Sequence, residues 1–170
     1  EMRKLLNEID KMMDGAKKEK LKELLEKLNA ENQDLEKELD RELELFKQLE
    51  FEQKIEETIQ KIELLKEDQK KLNEETDEKN INKDLLSNKQ DSLYKKMEEI
   101  EKDIERLRKQ NEELENKIEI PETEQIEKNI KTEMLKSKNS IQKDNKNKAK
   151  KSQENTLKNI EKLQKELDKM

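Results

Sequence analysis

The chain has 170 residues, of which 49% are charged and only 28% hydrophobic, with one Gly, one Pro, no Cys, no His and a formal charge of −6. A packed globular enzyme of this length would need nearly twice that apolar content and far more turn chemistry. Without His or Cys, the usual general bases, nucleophiles, and thiolate or imidazole metal ligands are missing, and disulfides are excluded. No enzyme, cofactor or metal site is therefore expected.

The composition instead suits a long helix, since Ala, Glu, Lys, Leu and Arg dominate it. No apolar run exceeds two residues, so no membrane span is expected, and the start at Glu1 has no leader-like basic and apolar pattern. Lack of Cys fits a reducing compartment, and an intracellular location in cytoplasm or nucleus is expected.

In chain order, residues 1–15 read as a short helical lead-in ending at Met12-Met13-Asp14-Gly15, where Gly15 can take the left-handed C-cap conformation. Nothing from Ala16 to Glu119 stops a helix, so 16–119 reads as one main segment of about 156 Å at about 1.5 Å per residue. Its apolar residues recur at alternating spacings of four and three, the coiled-coil period. The first stretch is Leu21, Leu25, Leu28, Asn32, Leu35, Leu39, Phe46 and Leu49. The register slips near 49–51 and resumes at Phe51, Ile55, Ile62, Leu65, Leu72, Leu86 and Leu93. It runs on through Met97, Ile100, Ile104, Leu107, Asn111, Leu114 and Ile118.

Ile and Met gather at one class of core position and Leu at the other, which favours a parallel two-stranded coil. Asn32 and Asn111 fall at the first class, where a buried Asn can pair across the seam and fix register. The fold expected is thus all-α: a long, parallel two-stranded coiled coil with a register shift near 49–51 and a kink at Pro121. The seam would bind another long helical chain. The polar middle (Gln69, Thr76, Lys79, Lys83, Gln90) favours a heterodimer, because a homodimer would stack two Lys layers there.

Pro121 removes a helical hydrogen bond and clashes with the preceding turn, so 120–125 reads as a break. A kink is favoured over a hairpin because no Gly, Asn or Asp adjoins the proline. A second helical segment, 126–170, follows with Ile126, Ile130, Met134 and Ile141 at spacings near four, and Ile160, Leu163, Leu167 and Met170 form a short seam at its end. Between them, 136–151 is basic: Lys136, Lys138, Lys143, Lys146, Lys148, Lys150 and Lys151 against Asp144 alone. Such a cluster can hold a polyanion, either nucleic acid or the acidic surface of a filament. No aromatic or Arg is interleaved for base stacking or bidentate contact, so a solvated face or a dock for an acidic helix is the preferred reading.

The sequence around the proline resembles a known family. Gln110-Asn111-Glu112-Glu113-Leu114, then Ile118, then Pro121-Glu122-Thr123-Glu124-Gln125-Ile126-Glu127 resembles the coiled coil, break and new helix of the Hec-type outer-kinetochore subunit. Met12-Met13-Asp14-Gly15-Ala16 resembles the stretch that leads into that coiled coil. The family's Glu-Arg pair after the break is Glu133-Met134 here, displaced by one residue. The resemblance implies one arm of a long parallel heterodimer in a microtubule assembly. The expected function is a non-catalytic rod or tether of a kinetochore, spindle or cilium, with tubulin or a larger filament as a further partner. The alternative is a DNA-associated coiled-coil arm using 136–151.

Overall fold

The structure is a computed structural model that describes Met2, Arg3, Leu6, residues 34–78 and residues 82–170. Four helices follow one another: α1 Asp34–Thr76, α2 Lys83–Glu112, α3 Glu124–Gln142 and α4 Lys146–Leu167. The chain divides into two units, Glu1–Glu50 and Phe51–Met170. Apart from Met2, Arg3 and Leu6, the lead-in expected at 1–15 lies outside the described residues, as do Leu21, Leu25, Leu28 and Asn32 of the seam and Lys79 of the polar middle. All-α architecture is as expected, and no strand occurs among the described residues.

Within Phe51–Met170 the helices run alternately up and down as a four-helix bundle. Lys61 meets Asp103, Lys96 meets Asp68 and Lys89 meets Glu75, so α1 and α2 are antiparallel. Lys131 meets Glu101 and Lys138 meets Asp91, which sets α3 against α2. Asn155 on α4 bonds Glu133 on α3, and Gln164 bonds Glu63 on α1, which closes the ring. Each helix offers a stripe to a common core, where Ile62, Leu65, Met97, Ile104, Ile130, Met134, Ile160 and Leu163 are at most 1% exposed. A second cluster of Phe51, Ile55, Leu107 and Leu114 caps one end, with Ile118, Ile120 and Met170 against it.

Three reversals make this possible, and none uses glycine. The expected uninterrupted helix over 16–119 is broken between Thr76 and Lys83. There Asn82 caps α2, its side-chain oxygen accepting from the Asp84 N–H at 2.8 Å, with Asp84 in the first turn. The cap offers backbone donors a partner that a continuing helix would not need. Continuation through the polar seam positions 76–83 would also bury little.

The second reversal replaces the kink expected at Pro121. Residues 113–123 form a wide connection, so no tight turn has to be encoded beside the proline. Asn111 staples it: its Nδ2 donates to the Ile118 carbonyl at 2.7 Å and its Oδ1 accepts from the Ile118 N–H at 2.8 Å. Asn111 therefore closes a loop in its own chain rather than pairing across a seam.

The third reversal divides the expected 126–170 helix between Gln142 and Lys146. Asp144 adopts a left-handed conformation (φ 55°), and the Asn145 N–H returns to the Ser140 carbonyl at 2.8 Å. This is the closure with which a helix usually ends on Gly; Asp tolerates it because its short polar side chain carries a small left-handed penalty. Asn145 then caps α4 by accepting from Lys148 N–H.

Candidate functional site

The seam read from sequence is a real apolar stripe, but in Phe51–Met170 it is covered by the same chain. Phe51, Ile55, Ile62, Leu65, Leu72, Leu86, Leu93, Met97, Ile100, Ile104, Leu107, Asn111 and Leu114 are all buried, and Ile118 is half-buried. On α1 the seam residue Leu49 is 50% exposed and Phe51 1%. In the first unit Leu35 lies on α1, Leu39 is buried and Phe46 is half-buried. Leu45 and Leu49, one turn apart, are each half exposed.

Covering the stripe are residues of α3 and α4: Ile130, Met134, Ile141, Ile160, Leu163 and Leu167. Their helical spacing is evident in the sequence. The missing signal was the set of turns that fold them back, carried by Asn82, Asn111 and the Asp144-Asn145 pair.

Charged side chains at the helix borders find partners inside the bundle. Lys61 lies beside Asp103 at 2.5 Å, and Lys66 bonds both Glu63 and Gln164. Lys96 holds the Asp68 carboxyl below the usual aspartate range by hydrogen bonding, against the opposing effect of partial burial. The Glu101 carboxylate accepts from Lys131 and raises the ammonium pKa, again against partial burial. Burial disfavours ionisation of Glu133, but hydrogen bonds from Lys136 and Asn155 outweigh it and hold the carboxyl low.

The polar middle is equally self-satisfied in part. Gln90 Nε2 donates to Gln69 Oε1 at 2.9 Å, and Gln153 Nε2 donates to Thr76 Oγ1 at 3.1 Å, all four residues being buried. These side chains of α1 are met by α2 and α4 of the same chain. Thr76 and Thr156 turn their hydroxyls back onto helical carbonyls. Gln69 Nε2, Gln90 Oε1, Gln153 Oε1 and Ser137 Oγ are buried without a partner. Lys83 at the helix start is exposed.

At the other end, Arg108 Nη2 donates to Thr123 Oγ1 at 2.9 Å, and Thr123 donates to the buried Glu127 carboxylate at 2.5 Å. These residues fasten the start of α3 to α2 beside a cleft of about 620 Å³ that Asn111, Pro121 and Lys128 also line. The segment carrying the kinetochore resemblance, 110–127, is this connection.

The basic stretch is only partly free. Lys138 pairs with Asp91, Lys150 with Asp77 and Lys136 with Glu133, while Lys146 donates to the Glu78 carbonyl. Lys143, Lys148 and Lys151 are exposed. Among the described residues no group of three or more Asp or Glu is placed to hold a metal ion, and no helix is long and apolar enough to cross a membrane. Compared with known proteins, the chain matches no family model, no curated protein and no solved structure.

Proposed function

We propose that this chain is a non-catalytic structural protein that joins an assembly through helix pairing. In this reading Phe51–Met170 is a self-contained helical module, and the helix before it carries the surface for a partner helix. The observation that carries it is the contrast along α1. Apolar seam positions from Phe51 onward are covered by the chain's own helices, whereas before Phe51 the seam residue Leu49 and its off-seam neighbour Leu45 are half exposed at i,i+4 spacing, with Leu39 buried and Phe46 half-buried. Two leucines one turn apart on a helix are what a partner helix engages in two-stranded packing. A rod running the whole length would need the seam of 51–118 to be free, so the expected two-stranded pairing with a different chain narrows to the segment before Phe51. Support for a non-catalytic role comes from the interior, which holds aliphatic, amide and hydroxyl side chains. Its charged groups serve as clamps between helices rather than as an acid–base pair in a cleft.

The absence of native cysteine makes a direct test available. Lys66 and Gln164 hydrogen-bond across α1 and α4 at 3.0 Å. In an extended rod they would be separated by about 150 Å at about 1.5 Å per residue. The variant Lys66→Cys/Gln164→Cys, treated at low concentration with a short bismaleimide that replaces the length of the two lost side chains, is expected to be cross-linked within one chain and to sediment as a monomer. Cross-linked dimers of an elongated particle would overturn the self-contained module. A stable dimer that Leu45→Asp/Leu49→Asp leaves intact would overturn the assigned partner surface.

A further inference from the structure

The chain as a whole is acidic, yet its charge is divided between halves of the bundle. Phe51–Leu114 holds 14 Lys and Arg against 19 acids, a net −5, whereas Glu124–Met170 holds 13 Lys against eight acids, a net +5. Helix geometry concentrates the excess further. On α4, Lys151, Lys158, Lys162 and Lys165 fall within about 60° of arc at 100° per residue, over about 21 Å of helix. All four are exposed, and none has an ion-pair partner among the described residues. This contrasts with the lysines that face neighbouring helices, which are paired.

The stripe borders a groove of about 260 Å³ between α3 and α4, with Lys136 on the α3 side. The groove floor is neutral and polar, formed by Asn129, Thr132, Asn155 and Asn159. Its single acid, Glu133, is already engaged by Lys136 and Asn155. Glu154 and Glu161 lie on the edge of the stripe away from the groove, and Glu166, on the groove side by the same helical arithmetic, is paired with Lys169.

We propose that this α3–α4 face binds the sugar–phosphate backbone of nucleic acid, without reading base sequence. The lack of any apolar anchor decides between the two polyanions that could be met. An acidic protein helix would gain only exposed ion pairs there, each worth about 0–1 kcal/mol. A nucleic acid gains counterion release at every neutralised phosphate, which requires no apolar contact. Ammonium groups flanked by amides and hydroxyls are the donors that phosphate oxygens take, and with no Arg or aromatic on the stripe the contact carries no base information. The inference stands apart from helix pairing by Leu45 and Leu49, and either can fail alone.

The test is fluorescence anisotropy of the full chain with a labelled duplex of about 20 base pairs, as DNA and as RNA, between about 50 and 200 mM salt. Binding is expected to both duplexes, with a log–log salt slope of about −3 to −4 for four phosphate contacts. The variant Lys151→Gln/Lys158→Gln/Lys162→Gln/Lys165→Gln is expected to lose affinity by about tenfold or more at the lower salt and most of the slope. The control Lys70→Gln/Lys83→Gln/Lys95→Gln/Lys102→Gln makes the same charge change on exposed positions of α1 and α2 and is expected to stay within about twofold. No binding at the lower salt, or equal losses in both variants, would overturn the proposal. Poly-glutamate bound as tightly as the duplexes would replace nucleic acid by an acidic protein partner.

Discussion

The two ends of the bundle are built from different materials. Around Phe51, the α2–α3 connection and Met170, the interior is built on Phe51, Ile55, Ile62, Met97, Ile104 and Leu107, with Ile130, Ile160 and Leu163 from the other helices, and its buried polar side chains (Thr58, Asp103, Asn111, Thr123 and Glu127) are each hydrogen-bonded. Toward the 77–82 connection and the α3–α4 turn, Gln69, Thr76, Ser87, Gln90, Ser137, Ser152, Gln153 and Thr156 enter the core instead. Both ends are equally well shielded from water, so burial alone does not distinguish them. What differs is what burial gains. An aliphatic side chain gains about 1.5–3 kcal/mol when fully buried, whereas a buried polar atom left unpaired costs about 1–3 kcal/mol. The apolar end supplies stability. The polar end specifies which helices meet, because Gln69 must find Gln90 and Thr76 must find Gln153.

The sharpest way to break this comparison is to remove volume at the apolar end. Ile104→Ala, at a residue 0% exposed, is expected to cost about 2–5 kcal/mol. For a unit of this size that approaches total stability, about 5–15 kcal/mol, so urea unfolding should shift to a much lower midpoint. Leu86→Ala, beside the α1–α2 connection, is expected to cost less, because its site lies near a helix start that can relax. Equal losses at the two sites would erase the distinction between the ends.

A subtler change sharpens it from the polar side. Gln90→Leu alone strands Gln69 Oε1 as well as its already unpaired Nε2, and is expected to cost about 1–3 kcal/mol. Gln69→Leu with Gln90→Leu removes both partners and the orphaned atoms, and is expected to be neutral or to stabilise by about 1 kcal/mol. The same double variant should broaden the choice of helix partners, read as exchange-broadened amide signals at Ser137 and Thr156. A double variant less stable than either single would show that the amide pair carries net stability.

Much of this organisation is legible in the sequence, and the part that is not has a definite physical cause. The buried stripe from Phe51 to Leu114 was fully readable, since any helix that buries one face writes it at the same spacing whether the cover is a second chain or its own. Ile–Leu layering did not reveal direction, because antiparallel packing inside a bundle uses the same apolar set. The reversals were missed because turn capacity was counted in Gly and Pro. This chain spends Asn and Asp instead: Asn82 as a cap, Asn111 as a loop staple, Asp144 in the left-handed region and Asn145 as the next cap. The proposed phosphate-binding face on α4 is half legible. The local density of Lys points to 136–151, yet Lys138 pairs with Asp91 on α2, Lys150 with Asp77 just past α1 and Lys136 with Glu133 on α3, and of that stretch the α4 stripe takes only Lys151.

The smallest effect tests whether the surface clamps belong to this comparison at all. Asp68 links α1 to α2 through Lys96 at 2.8 Å, near the middle of the bundle. Hydrogen bonding from Lys96 holds its carboxyl below the ordinary value of 3.8. The folded state therefore prefers the ionised form. This contribution is complete at pH values above the unfolded pKa and fades as pH falls through the lower folded value. Asp68 is about one-third exposed, so solvent screening leaves only a few tenths of a kcal/mol. Asp68→Asn is accordingly expected to lower stability by that amount near pH 7, and to match the parent once the medium is acidic enough to protonate Asp68 in both states. Salt near 1 M should close the same gap, because it screens exposed pairs over a few ångströms. If Asp68→Asn instead cost as much as Ile104→Ala, the fold would be held by its charged rim as much as by its apolar end. The division between an end that stabilises and an end that specifies would then give way to one between surface and core.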